Sequence, residues 1–458
     1  MKKDIFVNRV SNALENDRGA VFVGSGISFS STEVDWFKLL ELLVNELDIT
    51  LDNKSDDLPM IAQYIVNNYS GNRGPLVNEI SKTFNRKFKL NKYHKYLATT
   101  KLSTIWTTNY DMLLEDAFYD FDTSVKVSDD SITRNRLEYD VEIIKMHGCI
   151  SRSDWNEIVI TQEDYDDFSI NKPAISQRLS EDLINKSFLF IGYSYRDPNI
   201  RNIMINARRL SKKHTQQHYI ILKKLKDSDS NITQDDVVRQ ELWCNDLKRL
   251  GISTLFIDEY SELEELLREI SQKSRGKTVY VTGSHKESNM NARKLGTKLA
   301  KHKDITLLSG QSSGIGSEVV AAFTEECIKS KEDIINRMKI FPNPYSADEK
   351  YSDDITLIPD LKKCRTKMLN STQVVVVFSG GIGTEAEIDV AIKQNCNIIP
   401  VITCKEDREN PAIKKILNYS DNMKNIEIKD ATYYNKIVDE DGVVTMEEIY
   451  ICISKIMN

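Results

Sequence analysis

The chain contains few cysteines, and they form no motif. Its 458 residues include seven, which are scattered, odd in number and without a Cys-x-x-Cys pair. This usage argues against a disulfide framework and a structural zinc site, and it predicts a reducing, cytoplasmic compartment. We expect every cysteine to be a small buried hydrophobic residue and expect no metal.

Long apolar runs and excess positive charge are also missing. The longest compact apolar run, Val374–Phe378, has the length of a strand and not of a membrane span. The N-terminal MKKDIFVNRV lacks the apolar core of a signal peptide. The net charge of −7 provides no basic field for nucleic acid. We therefore expect two or three globular domains that bind neither nucleic acid nor membrane.

A glycine turn follows the first apolar stretch of the chain. Ala20–Val23 is predicted to be a short buried strand, and it leads into a Gly-Ser-Gly turn at Gly24–Gly26. Glycines allow a sharp turn and a close approach to a ligand, and a helix that starts there presents free N–H groups to a phosphate. The alternative is that these glycines only tighten a turn.

Polar side chains follow the predicted strand Ser103–Thr107. Asn109 and Asp111 come just beyond its end, where open α/β sheets place their ligands. Asp111 also precedes the helix-like sequence MLLEDAF, and aspartate is a common helix cap. The sequence leaves capping and ligand contact equally open for Asp111.

A histidine occupies the same kind of position after another predicted strand. Val141–Met146 is apolar and ends at His147-Gly148. A lone histidine is more often structural, but the strand-end position shared with Asn109 favours a catalytic role. We interpret the other histidines as surface or core residues without metal-ligand spacing: His94, His214, His218, His285 and His302.

A third strand end, after Ser187–Ile191, carries Gly192, Ser194 and Asp197. Between these strands, residues 121–140 are expected to be irregular. The acidic segment Glu157–Phe168 is expected to be a solvated loop or helix.

The polar segment Ser271–Lys277 predicts the domain boundary, with domains at 1–272 and 277–458. The second domain repeats the strand–glycine–helix pattern three times, in Thr278–Ser284, Ile305–Phe323 and Gln373–Ile392. Three such loops in one small unit favour a nucleotide or phosphate ligand, because each supplies backbone donors at a helix N-terminus. The alternative is again that the glycines only tighten βα turns.

Four motifs of the first domain resemble the SIR2 (sirtuin) family in type and order: Gly24–Ser28, Thr108–Asp111, His147-Gly148 and Gly192–Ser194. The resemblance implies an α/β protein with Rossmann-like parallel sheets that binds NAD. It implies that Asn109 and His147 are catalytic, with His147 as the base. The residues implied to bind NAD are Gly24, Ser25, Gly26, Ile27, Ser28, Asp111, Gly192, Ser194 and Asp197.

The chain departs from protein-deacylating sirtuins in one respect. They carry a four-cysteine zinc module after the histidine, whereas here only Cys149 and Cys244 lie between His147 and the end of the domain. The departure argues against deacylation.

The second domain is similar to the SLOG/LOG group of Rossmann-type nucleotide-binding domains. Gly380–Glu387 is close to the GGxGTxxE signature, and Ser379 stands where LOG enzymes have proline, which favours sensing over hydrolysis. Arg365 would contact phosphate, although it could instead cap a helix or form a surface pair. The implied ligand contacts are Gly283, Ser284, Gly310, Arg365, Lys367, Gly380, Gly381, Gly383, Thr384, Glu385 and Glu387.

A SIR2-like domain followed by a SLOG-like domain resembles the Thoeris family of bacterial anti-phage effectors. The resemblance implies an NAD+ hydrolase that is activated when a cyclic ADP-ribose isomer from a TIR-domain partner binds the C-terminal domain. It also implies a homo-oligomer, a tetramer or larger. The alternatives are a non-catalytic nucleotide-sensing scaffold, a SIR2-type deacylase or ADP-ribosyltransferase, and a LOG-like phosphoribohydrolase.

Overall fold

A computed structural model describes residues 1–44, 47, 49–51, 56–134, 138–154, 157–193, 197–211, 216–229, 232–286, 289–341, 343, 357–419, 426, 431–439 and 442–457. The chain forms two compact units. Unit 1 comprises Met1–Ala98 and Leu102–Ile270, and unit 2 comprises Thr99–Lys101 and Ser271–Asn458. No helix within these described ranges is long and apolar enough to cross a membrane.

Unit 1 is built on a seven-stranded, fully parallel sheet in the order β3-β4-β2-β1-β5-β6-β7. Strands β1, β2 and β4 are buried throughout, as expected for central parallel strands that are covered on both faces. The strands are β1 Gly19–Val23, β2 Thr104–Thr107, β3 Thr123–Lys126, β4 Val141–Lys145, β5 Ser187–Ile191, β6 His218–Lys223 and β7 Ile252–Ile257.

Helices connect these strands and cover the two faces of the sheet. They are α1 Lys3–Glu15, α2 Ser25–Thr32, α3 Trp36–Val44, α4 Leu58–Asn68, α5 Gly74–Phe84, α6 Lys92–Thr99, α7 Leu113–Ala117, α8 Asp129–Thr133, α9 Gln162–Asp166, α10 Phe168–Asn171, α11 Pro173–Asn185, α12 Pro198–Ser211, α13 Gln234–Arg249 and α14 Ser261–Lys273.

The central strands of unit 1 end in register. Val23 pairs with Thr107 on one side and with Ile191 on the other, and Thr107 pairs with Lys145. The residues that follow these four strands therefore emerge along one edge of the sheet. Adjacent strands lie about 4.8 Å apart, so this edge brings the loops after β1, β2, β4 and β5 side by side.

Unit 2 has a five-stranded parallel sheet in the order β10-β9-β8-β11-β12. Its strands are β8 Thr278–Thr282, β9 Thr306–Ser309, β10 Met338–Ile340, β11 Val374–Val377 and β12 Asn397–Pro400. Its helices are α15 Met290–Lys301, α16 Ile315–Lys329, α17 Ile334–Arg337, α18 Leu357–Asn370, α19 Ile382–Lys393, α20 Pro411–Leu417, α21 Thr432–Val438 and α22 Met446–Met457, with a 3₁₀ helix at Lys405–Glu409.

The predicted α/β class with two Rossmann-like parallel-sheet units is confirmed, whereas local predictions fail for residues 121–140 and for three cysteines. Residues 121–140 contain β3 and the capped helix α8, not only irregular chain. Cys404 is exposed, and Cys244 and Cys364 are half-buried, so the expectation that every cysteine is buried fails for these three.

Candidate active site and candidate ligand edge

The glycines after β1 are required by a close contact between two loops of unit 1. The amide of Gly24 donates to the Ile191 carbonyl, and the amide of Gly26 donates to the Gly192 carbonyl, both at 2.9 Å. A Cβ on Gly24 would lie 2.7 Å from the Cα of Tyr193. Gly192 has a φ of +57°, and a Cβ there would lie 2.5 Å from the Ile27 nitrogen. Only glycine allows this loop crossing.

Asn109 is buried beside this crossing. Its side-chain nitrogen donates to the Gly24 carbonyl at 3.3 Å and to Ser28 Oγ at 3.1 Å. Because a carbonyl can only accept, the Gly24 contact fixes which end of the amide is nitrogen. Asn109 Oδ1 is buried and has no hydrogen-bond partner within the described chain. It is thus an acceptor available to a ligand.

His147 lies beyond the end of β4 in an aromatic and acidic setting. Its Nε2 is 3.0 Å from Asp197 Oδ2, and both side chains are almost fully buried, although the two atoms are not aligned for a hydrogen bond. The rings of Tyr165 and Phe168 meet the imidazole edge-on, with centroids 5.4 and 6.2 Å away. The sequence predicts Asp197 as an NAD-binding residue together with Gly192, and in the structure its carboxylate lies beside His147.

Asp197 is held by the start of a helix as well. Its Oδ1 accepts from the amides of Asn199 and Ile200 at 2.9 and 3.3 Å, at the N-terminus of α12. The contact satisfies helix N–H groups that would otherwise have no partner. It also fixes the carboxylate next to the histidine.

The Asp111 side chain is engaged by the backbone of its own segment, because its Oδ1 accepts a hydrogen bond from the Leu113 amide at 3.0 Å.

A buried ion pair that the sequence does not predict contacts the backbone of Asp111. Lys145 Nζ is 3.0 Å from Glu115 Oε1 and also donates to the Asp111 carbonyl. Burial alone would lower the pKa of Lys145, but the combined attraction of Glu115, Cys149 and Asp111 outweighs burial, and the pKa is raised.

The acidic segment Glu157–Phe168 is not simply solvated, contrary to expectation. Tyr165 and Phe168 are buried core residues. The Asp164 carboxylate accepts hydrogen bonds from Arg73 Nη1 and Nη2, at 2.6 and 3.0 Å, and also from the Thr161 amide. The segment therefore forms the wall against which His147 packs.

The remaining predicted NAD-binding residues lie on the same edge of unit 1, with one outside the described residues. Ser25 and Gly26 are exposed in the first turn of α2, and Ile27 and Ser28 are buried behind them. Ser194 is the residue that lies outside the described residues.

Unit 2 repeats the loop crossing at the ends of its central strands. A Cβ on Gly380, after β11, would lie 3.1 Å from the backbone of Gly283, after β8. Thr384 Oγ1 donates to the Gly283 carbonyl at 3.2 Å, and the Ser284 amide donates to the Ser379 carbonyl at 2.9 Å. Gly283, Ser284, Gly380 and Thr384 therefore hold two loops together.

Two other glycines of unit 2 are open. A Cβ on Gly381 would meet nothing within 4 Å among the described residues, and one on Gly383 would only reach Arg365 Nη2 at 4.0 Å. These glycines flank the exposed Ile382 at the start of α19, with Glu385 in the first turn. Such a helix start offers N–H groups to an anion.

Arg365 and Glu387 meet behind this helix start. Arg365 Nε lies 3.8 Å from Glu387 Oε1, and Thr282 Oγ1 donates to Glu387 Oε2 at 2.5 Å. Burial raises the pKa of Glu387 despite its hydrogen bond from Thr282 and the nearby Arg365. Arg365 thus forms a half-buried pair and not a surface pair.

The other predicted contacts of unit 2 are Gly310 and Lys367. Gly310 follows β9, and a Cβ there would lie 3.5 Å from the Tyr280 hydroxyl. Lys367 is half-buried in the last turn of α18.

The chain is similar to known proteins over most of its length. The SIR2-like domain family matches residues 103–242, and the Sir2- and TIR-associating SLOG family matches residues 262–456. "NAD(+) hydrolase ThsA" of Bacillus cereus (strain MSX-D12) is 30% identical over 423 residues, which are 87% of this chain and 86% of that protein. A protein of the same name from Enterococcus faecium is 31% identical over 347 residues, which are 71% of this chain and 72% of that protein. A third, from Cytobacillus dafuensis, is 30% identical over 434 residues, which are 87% of this chain and 85% of that protein.

Proposed function

The chain belongs to the family of the NAD(+) hydrolase ThsA proteins, and on this basis we propose that it cleaves the nicotinamide–ribose bond of NAD+ in anti-phage defence. The single observation that carries the proposal is the juxtaposition at one sheet edge of an acceptor on Asn109 and the His147–Asp197 pair. The pyridinium is already a good leaving group, and the transition state has oxocarbenium character. The site therefore needs positioning and a base more than a strong acid.

Each of these three side chains has a role in the proposal. Asn109 Oδ1 accepts a hydrogen bond from a ribose hydroxyl or from the attacking water. His147 takes the proton that the hydroxyl or water loses. Asp197 stabilises the positive charge that the ring then carries, as a carboxylate does beside a catalytic histidine. Asp111 is proposed to support the ribose loop, because its carboxylate is engaged locally.

The test is nicotinamide release from NAD+ by the purified full chain. We expect Asn109→Ala, Asn109→Asp and His147→Ala to abolish turnover, and Asp197→Asn to reduce it at least tenfold. Asn109→Asp replaces the donor with an acceptor opposite the Gly24 carbonyl, so the side chain keeps its size but loses its anchor. His302→Ala, in unit 2, is the matched control and should release nicotinamide at the wild-type rate.

Wild-type turnover by Asn109→Ala or His147→Ala would refute the assigned roles. Deacylation of acyl peptides without net NAD+ hydrolysis would instead favour a SIR2-type deacylase. Binding of NAD+ with no release under any condition would favour a sensing scaffold.

We propose further that unit 2 senses a cyclic ADP-ribose isomer made by a TIR-domain partner. The open start of α19 at Gly381–Gly383 supports a phosphate contact, and Arg365 lies at the side of it. The match to a SLOG family associated with Sir2 and TIR domains supports the kind of partner. A ligand can activate the enzyme only if it binds the active arrangement more tightly than the resting one.

The sensing proposal predicts a ligand-dependent rate. Full chain mixed with NAD+ should release little nicotinamide alone and much more with one isomer. Arg365→Ala and Glu387→Ala should block activation but leave NAD+ binding unchanged. Arg293→Ala, whose half-buried guanidinium pairs with Glu318 and Glu325 in the same unit, is the control and should be activated normally. Activation of both site variants would remove these two residues from the sensing site.

The proposed assembly is a homo-oligomer of four or more copies through the SIR2-like units. Light scattering on the purified chain with and without the isomer tests it, and a monomer under both conditions would contradict it. Incubating unit 2 ligands of the AMP class with the full chain and analysing the products tests whether the Arg365–Glu387 pair retains LOG-like hydrolysis.

A further inference from the structure

We propose that His94 is a positioning residue for NAD+ cleavage, acting on Asn109 through Ser28. This inference deepens the proposed function and rests on it. Three side chains form a buried line: Asn109 Nδ2 lies 3.1 Å from Ser28 Oγ, and Ser28 Oγ lies 3.5 Å from His94 Nε2. Sequence reasoning had treated His94 only as a surface or core residue.

His94 lies on α6 and is fully buried. Burial lowers its pKa to about 4, so the ring is neutral at physiological pH. A neutral imidazole has one acceptor nitrogen and one donor nitrogen. The ring can therefore accept a hydrogen bond from a hydroxyl at Nε2.

The direction of the first hydrogen bond in this line follows from the Gly24 carbonyl, which Asn109 also contacts. The Gly24 carbonyl can only accept, so the Asn109 amide presents its nitrogen both to it and to Ser28 Oγ. Ser28 accepts that bond and has one proton of its own to donate. In the tautomer that carries its proton on Nδ1, His94 accepts this proton at Nε2, and this is the tautomer that the proposal uses. With the nitrogen end held at two points, Oδ1 is left as the end that faces a ligand.

A second residue of the same segment clamps the helix that carries Ser28. Asn91 Nδ2 donates to the Ile27 carbonyl at 2.7 Å and to Ser30 Oγ at 2.9 Å. Asn91 Oδ1 accepts from the His94 amide at 3.1 Å. The segment from Asn91 to His94 therefore fixes both the position of α2 and the orientation of the ring. Because α2 and Ser28 are held in place, the Asn109 amide is already oriented and loses little conformational freedom when substrate binds.

The test compares two substitutions of His94 in the full chain. Each variant is assayed for nicotinamide release from NAD+ in the presence of the cyclic ADP-ribose isomer that gives the highest wild-type rate, or with NAD+ alone if no isomer changes that rate. His94→Leu fills the same space without an acceptor, and His94→Gln restores a neutral acceptor. We expect His94→Leu to lower kcat at least tenfold with less than a threefold change in KM, and His94→Gln to recover at least a third of the wild-type kcat. Thermal unfolding is measured in parallel.

His218 provides the matched control. It is also a fully buried histidine of unit 1, but its Nδ1 accepts from the Phe188 amide at 3.2 Å, within the sheet. His218→Gln should keep the wild-type kcat per folded molecule. If His94→Leu keeps wild-type kcat, or if His94→Gln is as inactive as His94→Leu while both remain folded, the positioning role is overturned. The same holds if His94→Leu loses activity only in proportion to its loss of folded protein.

A failure of the proposed function is distinguishable from a failure of this inference. If wild-type protein binds NAD+ in calorimetry but releases no nicotinamide, the hydrolase proposal fails. The positioning role is then tested on the dissociation constant for NAD+. It stands if His94→Leu weakens binding at least threefold and His94→Gln restores it, and it falls if the three proteins bind alike.

Discussion

Replacing Lys145 with methionine tests whether a buried ion pair supports the candidate active edge. Lys145 and Glu115 lie 3.0 Å apart with side chains 1% and 6% exposed, and the lysine also donates to the Asp111 carbonyl. Methionine keeps the volume but leaves a buried carboxylate without its counter-charge. Breaking a buried pair on one side costs about 3–5 kcal/mol. We therefore expect Lys145→Met to destabilise unit 1 by about 4 kcal/mol.

The double variant separates the charge from the carbonyl contact. Lys145→Met with Glu115→Leu removes both charges, and such exchanges of a buried pair are near neutral. The Asp111 carbonyl still loses a donor, which costs about 1–3 kcal/mol. We expect the double variant to lose about 2 kcal/mol, less than Lys145→Met alone.

The assay is native-state hydrogen exchange of the β2 and β4 amides in the full chain. A chain of two units does not unfold as a single two-state system, so a local measurement is more informative than one melting temperature. Lys3→Met is the control, because its exposed pair with Glu265 should contribute less than about 1 kcal/mol. If the double variant loses the sum of the two single losses, the two charges do not interact as described.

Three further outcomes are expected. Gly192→Ala adds a Cβ 2.5 Å from backbone at a φ of +57°, and it should destabilise unit 1 by about 3 kcal/mol and abolish NAD+ turnover. Gly71→Ala, with a φ of +85° and open space, should cost only about 1 kcal/mol, and native-state hydrogen exchange of the unit 1 amides measures the difference. Burial lowers the pKa of His94 to about 4 and of His218 to about 3, so the unfolded chain takes up these protons first as the pH falls. The stability from each neutral ring is therefore complete above pH ~6.5 and is lost on acidification toward the folded pKa, by about 3 kcal/mol for His94; thermal unfolding between pH 7 and 5 should shift less in His218→Gln than in wild type. Arg337→Met removes the buried guanidinium that donates to the carbonyls of α15 and of the loop after it, and should destabilise unit 2 by about 3 kcal/mol as seen by hydrogen exchange.

The strand ends of the candidate site could be predicted because the residues of a buried parallel strand are themselves enough to predict the strand. Short runs rich in β-branched and large apolar residues before Asn109 and His147 predict two strands, and polar residues just beyond them predict the edge. Parallel register then places both residues on that edge, as the structure shows. Short edge strands such as Thr123–Lys126 and Met338–Ile340 escaped this reasoning, because three or four mixed residues carry no periodic signal.

Contacts between distant segments could not be predicted in the same way. Asp197 reaches His147 because α12 begins where its first amides hold the carboxylate, and Asp164 pairs with Arg73 across 91 residues of chain. Lys145 read as one residue of an apolar strand, and its partner Glu115 lies on α7, a helix of five residues. Hydrophobic periodicity predicts the secondary structure of a segment, but it does not predict which distant segment packs against it.

The glycine motifs show where a sequence signature and its physical cause diverge. In unit 1, Gly24 and Gly26 form the close loop crossing with Gly192. In unit 2, Gly283 and Gly380 form a crossing with each other. In both units, these glycines stand where the strand order reverses, which is where open α/β sheets bind ligands.

A crossing without Cβ atoms lets two loops close over the sheet and brings the residues after them together. The glycine is then needed for architecture, and the ligand contacts that we propose belong to its neighbours. In unit 1 those neighbours are Asn109 and Ser28, which bear side chains. In unit 2 they are Gly381 and Gly383, whose backbone is open at the start of a helix. Under the proposed function, the same motif would support side-chain chemistry in one unit and anion binding by backbone amides in the other, which is the division expected of an enzyme joined to a sensor.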